Sequence, residues 1–203
     1  FAEKYYSMSP YQYGANSPVG NIDVNGDSII IKPNANGIID QIKVLFGYDT
    51  KFQKDVKADL FQLKQDDKKV ADIIGKLEES KNIHYITMPK KGEYNSTGFN
   101  ADKVKKNISQ GSEIYYNPYN RRRGRNDSDM RTPRIGLAHE LQHSFDVDKK
   151  VATYERTKNG ILLMDIRAIN TENRIRKVIG EPKRTMYGTC LLYTSPSPRD
   201  RTR

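Results

Sequence analysis

The sequence predicts an α+β fold with a small mixed sheet, and three observations support that expectation. Short runs of β-branched residues are followed by longer segments whose apolar residues recur every three to four positions, a pattern typical of strands and helices. The chain has 203 residues, enough for one domain with a buried core and short appendages. Its 13 tyrosines and its aliphatic clusters argue against general disorder, despite a mean hydropathy of −0.82.

Four short apolar runs are predicted strands. They cover residues 28–32, 41–46, 83–88 and 113–116. His84 lies in the third run, where a single histidine is expected to be a surface or packing residue rather than a metal ligand. Two helices are predicted within 49–80, with a break at Asp66 and Asp67. Their apolar stripes are Phe52, Val56, Leu60 and Leu63, then Val70, Ile73, Ile74 and Leu77.

Two further helices are predicted in the second half of the chain. Thr132 is a suitable N-cap, and Pro133 suits the first helical position, so the first of these helices begins there. The second is expected over about residues 162–179, and Gly180 followed by Pro182 ends it. The first of these helices carries the pattern that says most about function.

Residues 139–143 read His-Glu-Leu-Gln-His, an H-E-x-x-H pattern. On a helix, His139 and His143 point the same way and can bind one zinc ion, with Glu140 beside the water that the ion activates. Chance produces the pattern in roughly one chain of this length in two hundred at average residue usage. The helix start at Thr132 and Pro133 favours the functional interpretation, because the two histidines then share one face.

A zinc peptidase needs a third protein ligand and an open position for water. On the next predicted helix, Asp165, Ala168 and Glu172 share one face at positions i, i+3 and i+7. Thermolysin-like enzymes place a glutamate about 20 residues after the second histidine, which favours Asp165. The greater length of a glutamate side chain favours Glu172 instead, so both acids remain candidates for holding the one expected Zn²⁺ with His139 and His143.

The predicted chemistry is hydrolysis of a peptide bond. Glu140 would take a proton from the attacking water and pass it to the leaving amine. Tyr187 or Arg184 would stabilise the oxyanion, with a packed aromatic residue as the alternative interpretation of Tyr187. By analogy with zinc peptidases, the predicted strand at 113–116 would offer its edge to an extended peptide.

The N-terminal segment resembles the end of the Rhs-repeat core. The matching residues run from Glu3 to Gly26 and read EKYYSMSPYQYGANSPVGNIDVNG, about an eighth of the chain. In that family the core ends a large β-cage and a variable toxin domain follows directly. Val24 stands where the family usually has proline, which leaves open whether the family's self-cleavage occurs at residues 23–26.

Three blocks after residue 135 resemble the NleD-type effector metallopeptidases, which also supply toxin domains to Rhs proteins. They span residues 136–143, 165–176 and 180–187, within about 55 residues. The resemblance implies a zincin-like fold with an active-site helix followed by a ligand-bearing helix. Its blocks include E-N-x-x-R, here starting at Glu172, and R-x-x-Y, here starting at Arg184. The family's first acid is usually glutamate, so Asp165 is a departure that leaves the third ligand open.

These resemblances define the expected organisation. Residues 1–26 would be the end of the core, 27–189 the toxin domain, and 190–203 a tail that resembles translated sequencing-adapter read-through. That tail contains the single cysteine, Cys190, so a site built from several cysteines is excluded. A chain that starts at Phe1 is expected to be a fragment of an exported protein delivered into a target cell, with its export signal upstream. A protein substrate in that cell and a cognate immunity protein are the implied partners.

A nucleic-acid-directed toxin is the alternative function, because the net charge is +10. The charge is spread along the chain apart from one cluster in a predicted exposed loop, formed by Arg121, Arg122, Arg123 and Arg125. No nucleic-acid-binding signature accompanies this cluster, so nucleic acid is not the expected partner. A binding or pore-type module with an accidental H-E-x-x-H is a third class. No apolar run is long enough for a membrane span.

Overall fold

The computed structural model describes residues 28–35, 37–124, 127–187 and 190–191, and for 122–124, 127–129 and 190–191 it describes the backbone alone. The expected core segment 1–26, Arg125 and the tail from 192 onwards lie outside the described residues. The described part is mixed α/β, as predicted. Its strands are β1 (Ile29–Ile31), β2 (His84–Thr87), β3 (Ser96–Gly98), β4 (Ser112–Tyr115), β5 (Arg122–Gly124), β6 (Asp127–Met130), β7 (Met186–Tyr187) and β8 (Cys190–Leu191). Its helices are α1 (Ile38–Leu45), α2 (Lys51–Asp66), α3 (Lys68–Glu78), α4 (Ala101–Lys105), α5 (Pro133–Asp148) and α6 (Leu163–Ile179).

The main sheet has four strands in the order β1-β2-β4-β3. The first two pairings are parallel and β3 pairs antiparallel with β4, so the predicted small mixed sheet is confirmed. Because β4 lies between β2 and β3, both of its edges are paired. The expectation that the strand at 113–116 offers a free edge is therefore wrong, and β3 is the edge strand at that side of the sheet.

One face of the sheet forms the floor of the core. Side chains alternate along the strands, so Ile29, Ile31, Ile86 and Ile114 are buried while their neighbours are half-buried. Helices α2, α3 and α5 belong to the same hydrophobic cluster. Helix α5 contacts β3 and β4 directly, which sets the H-E-x-x-H residues between the sheet and α6.

Helices α2 and α3 follow the predicted pattern. All eight residues of the two predicted apolar stripes are buried. Thr50 and Gln53 form a capping box at the start of α2. Asp67 accepts hydrogen bonds from the backbone of Lys69 and Val70, so it ends α2 and caps α3 at the predicted break.

Residues 41–46 were predicted to form a strand, and this is wrong because most of them belong to α1. The β-branched run hides a helical repeat that begins earlier, at Ile38, and continues through Ile42 and Leu45. None of the residues of α1 is buried within the described structure. A short apolar run without a burial pattern cannot distinguish the two kinds of element, and here it favoured the wrong one.

Helices α5 and α6 pack closely side by side. Ala168, in the middle of α6, is completely buried and lets the two backbones approach. Gly180 ends α6 with φ of 75°, a left-handed conformation that favours glycine. Among the apolar residues of α6, Ile169 is buried whereas Val178 is 52% exposed. None of the helices in the described ranges is long and apolar enough to cross a membrane.

Candidate metal and catalytic site

The two histidines of the pattern face each other from successive turns of α5. His139 Nε2 and His143 Nε2 are 3.2 Å apart, and the rings meet edge to face at 74° with centroids 4.8 Å apart. In a tetrahedral site with Zn–N bonds of about 2.0–2.1 Å, ligand atoms lie roughly 3.3–3.4 Å from each other. The observed separation is therefore close to that of two ligands sharing one zinc ion.

Burial keeps both imidazoles neutral. It lowers the pKa of His143 to about 4, with the positive charge of Arg167 adding to the effect. Burial also lowers the pKa of His139 well below its usual range, helped by His143 and by Arg131. A neutral imidazole has a free nitrogen lone pair at pH 7, which is the form that binds a metal ion.

Asp165 lies beside the second histidine. Its Oδ1 is 3.6 Å from His143 Nε2. The phenol of Tyr187 lies beside the Asp165 carboxylate and interacts with it. Burial raises the pKa of Asp165, and the neighbouring phenol of Tyr187 opposes that rise. The carboxylate thus lies on the Nε2 side of the histidine pair, where a shared metal ion would also lie.

Glu172 has a different environment although it shares a helix face with Asp165. It is completely buried, and its two oxygens accept separate arginine partners. Oε1 is bound by Arg131, and Oε2 accepts from Arg184 Nη1 at 2.9 Å. Oε1 also lies 3.7 Å from Nδ1 of His139, on the side of that ring away from His143. Glu172 therefore approaches the Nδ1 side of His139 rather than the space between the Nε2 atoms of the two histidines.

Glu140 is buried next to the histidine pair, with its carboxylate turned toward β3. Its Oε2 accepts a hydrogen bond of 2.8 Å from Thr97 Oγ1. Burial raises the pKa of Glu140 to about 7, while the bond from Thr97 and the charge of Arg131 oppose that rise. A carboxyl group with a pKa near neutrality can both accept and release a proton, which general acid–base catalysis requires.

Arg184 and Tyr187 reach the site from the segment after α6. The Arg184 guanidinium carbon lies 5.2 Å from the centre of the Tyr187 ring. Burial raises the pKa of Tyr187 to about 12, and the neighbouring Asp165 adds to the rise, so the phenol keeps its proton at neutral pH. All seven residues predicted from the sequence thus lie in one cluster, namely His139, Glu140, His143, Asp165, Glu172, Arg184 and Tyr187.

Thr97 and Arg131 belong to the cluster but were not predicted. Neither lies in a recognisable pattern, and Thr97 is 43 positions from its partner Glu140. An indirect signal exists for Arg131 at Gly136. A Cβ atom there would lie 2.6 Å from the Arg131 guanidinium and 2.6 Å from the Asn95 amide. The glycine leaves the space through which Arg131 reaches Glu172.

The cluster fits a zinc ion in part. Two neutral imidazoles stand at ligand spacing, and a carboxylate lies beside one of them. Within the part of the chain that the structure describes, Nδ1 of both rings is buried without a hydrogen-bond partner. Across the described ranges, no three His, Cys, Asp or Glu side chains are arranged as a complete metal site. The nitrogen and oxygen donors suit zinc, and the carboxylate of Asp165 would have to move to complete the set.

The third histidine, His84, lies on the opposite side of α5 and is completely buried. Its Nδ1 is 2.9 Å from Ser112 Oγ, which in turn donates to Ser144 Oγ at 2.8 Å. Its Nε2 faces Asp148 at 3.7 Å. The sequence predicted a surface or packing residue rather than a metal ligand, and His84 is a packing residue that links β2 to α5.

No protein-family model matches this chain, and neither a curated protein nor a solved structure is significantly similar to it. The resemblances to the Rhs core and to the NleD-type metallopeptidases therefore depend on the sequence blocks alone.

Proposed function

We propose that residues 27–189 form a zinc-dependent endopeptidase of zincin-like arrangement. The observation that carries this proposal is the pair of Nε2 atoms of His139 and His143, 3.2 Å apart on a buried helix, with Glu140 between them in sequence. Neutral rings at ligand spacing beside a carboxyl group with a raised pKa are the parts that a metallopeptidase uses.

Asp165 is the proposed third ligand, and Glu172 is proposed to orient His139. Asp165 lies 3.6 Å from His143 on the Nε2 side, next to the phenol of Tyr187. Both oxygens of Glu172 already bind arginines, and the carboxylate faces Nδ1 of His139 instead. A carboxylate behind a metal-binding histidine fixes the ring and its tautomer. The contacts thus favour Asp165 over Glu172, which spacing alone left open.

A bound zinc ion would supply Lewis acidity and an activated water molecule. The carboxylate of Glu140 takes the proton from the attacking water and returns it to the leaving amine. Thr97 holds that carboxylate through the bond to Oε2. Tyr187 and Arg184 carry the donors that would stabilise the oxyanion in the transition state, since Tyr187 keeps its proton at neutral pH and Arg184 is a cation.

The proposed substrate is an extended segment of a protein. Edge strand β3 contains Thr97, whose hydroxyl contacts Glu140. A peptide that adds to the outer edge of β3, which pairs with no other strand of the described ranges, would run past the catalytic carboxylate. This assigns to β3 the role that the sequence had suggested for β4.

The biological setting follows from the sequence resemblances. The domain would act as the toxin or effector part of an exported bacterial Rhs-type protein, delivered into a target cell and neutralised in the producer by an immunity protein. The Glu3–Gly26 block supports the Rhs assignment, and the three blocks within 136–187 support the effector metallopeptidase assignment.

Metal analysis and one substitution test the function. The purified full chain should contain about one zinc per molecule and should cleave a peptide library prepared from a bacterial proteome. Glu140→Gln should keep the zinc and lose 10²-fold or more of the cleavage rate, because the proton acceptor is removed. A folded chain without zinc, or full cleavage by the zinc-loaded Glu140→Gln variant, would overturn the proposal. Degradation of RNA or DNA unaffected by that variant would favour the nuclease alternative.

A further inference from the structure

Residues 181–187, here called the C-terminal arm, are held to α6 by the side chain of Asn173. The Asn173 amide contacts both backbone polar groups of Arg184. The Arg184 N–H donates to Asn173 Oδ1 at 2.7 Å, and Asn173 Nδ2 donates to the Arg184 carbonyl at 3.0 Å. Two bonds from one amide to one residue fix both the position and the orientation of the backbone at Arg184.

The start of the arm is attached at a second point. Arg176 donates to the carbonyl of Pro182 at 3.2 Å and to the carboxylate of Glu181 at 3.3 Å. The other oxygen of Glu181 accepts from the backbone N–H of Thr132 at 2.8 Å and from its hydroxyl at 2.6 Å. Thr132 is the N-cap residue of α5. The arm is therefore tied to α6 and to the start of the helix that carries His139 and His143.

These attachments place two side chains of the arm against the acids of α6. Arg184 reaches Oε2 of Glu172, and Tyr187 lies beside the Asp165 carboxylate. Helix α6 thus supplies both the residue that holds the arm and the carboxylates that the arm contacts. The E-N-x-x-R and R-x-x-Y blocks of the sequence form one contact surface, in which Asn173 binds the backbone of the residue that starts the second block.

We propose that Asn173 is a positioning residue, which sets Arg184 and Tyr187 at the site by holding the arm at the Arg184 backbone. This inference rests on the proposed peptidase function. Misplacement of a catalytic group by about 1 Å costs up to 10²-fold in rate. The hydrogen bonds of Asn173 described above go to the backbone of Arg184 and not to His139, His143 or Asp165, so its loss acts on the site through the arm.

The test compares Asn173→Ala with Asn170→Ala in the full chain. Asn170 is an exposed asparagine on the same helix, three positions earlier. In the metal-free protein, Asn173→Ala should increase amide hydrogen exchange at residues 184–187, and Asn170→Ala should not. With zinc bound, the best-cleaved peptide of the bacterial library serves as the probe. Asn173→Ala should lower kcat on the order of 10-fold or more, change KM less than about 3-fold, and retain about one zinc per chain.

A double substitution separates positioning from general destabilisation. If Asn173 acts through the arm, Asn173→Ala should lower kcat by a much smaller factor in a variant that already carries Tyr187→Phe and Arg184→Ala than in the wild type. Two results would overturn the role of Asn173 and leave the peptidase function intact. One is an equal loss of kcat in both backgrounds, and the other is faster amide hydrogen exchange at residues 184–187 with kcat at the wild-type value. A wild-type chain without zinc or cleavage removes the proposed function and this inference together.

Discussion

The two polar sides of α5 differ in how their buried groups are partnered. Toward the sheet, His84, Ser112 and Ser144 form a chain of hydrogen bonds that ends on the backbone carbonyl of Glu140. Toward α6, His139 and His143 direct their Nε2 atoms at each other, and two carboxylates stand nearby. On the first side, serine hydroxyls partner Nδ1 of His84, while within the described residues its Nε2 is buried without a hydrogen-bond partner. The second side collects nitrogen and oxygen donors at the spacing of metal ligands, which distinguishes a candidate site from packing.

The sharpest test of this difference substitutes one aspartate on each side. Asp165→Asn should lower zinc binding by the largest factor, on the order of 10²-fold or more, because a neutral amide replaces the proposed third ligand. Asp148→Asn, beside His84, should keep the zinc. Competition of each variant against a zinc-selective chelator measures the affinity. Equal zinc affinity of Asp165→Asn and wild type would show that Asp165 is not a ligand.

Glu172→Gln should have an intermediate effect. Loss of a carboxylate behind a metal-binding histidine typically costs 10-fold to 100-fold in metal affinity or activity. The substitution also leaves Arg131 and Arg184 without their shared anion, so a drop in stability is expected as well. Chelator competition and thermal unfolding of the same sample separate the two effects. If zinc binding disappears in Glu172→Gln but survives in Asp165→Asn, the assignment of the two acids is reversed.

The smallest expected effect concerns the sheet side and pH. Burial lowers the pKa of His84, and the nearby Asp148 opposes that shift. Below the usual histidine pKa of about 6.5, the unfolded chain binds a proton that the folded chain does not, so stability falls as pH falls. His84→Leu should reduce this decline between pH 7.5 and pH 5.5, as measured from denaturant midpoints. The same slope in the variant and the wild type would show that His84 titrates alike in both states.

Local signals predicted the elements that depend on local rules. Thr132 and Pro133 gave the start of α5, Gly180 gave the end of α6, and Asp67 gave the break between α2 and α3. The signals were insufficient where tertiary packing decides. An isoleucine-rich run forms α1 instead of a strand. The short, polar strand β3 pairs with β4, so the edge of β4 that was expected to be free is occupied.

The site shows the same division. Spacing placed His139, Glu140 and His143 on one helix, and the helical stripe placed both acids toward them. Spacing could not choose between Asp165 and Glu172, because the choice depends on partners from distant segments. Arg131 binds Oε1 of Glu172, and the missing side chain of Gly136 leaves room for the Arg131 guanidinium. Such contacts carry no periodic signature in the sequence.

The attachment of the arm to both α5 and α6 also has a consequence for the order of events during synthesis. A ribosome makes Glu181, Arg184 and Tyr187 after every other residue of the candidate site. The N-terminus of α5 receives its carboxylate partner, and Glu172 its second arginine, only when these residues have emerged. A nascent chain therefore holds His139, Glu140 and His143 in an incomplete cluster until translation has passed Tyr187.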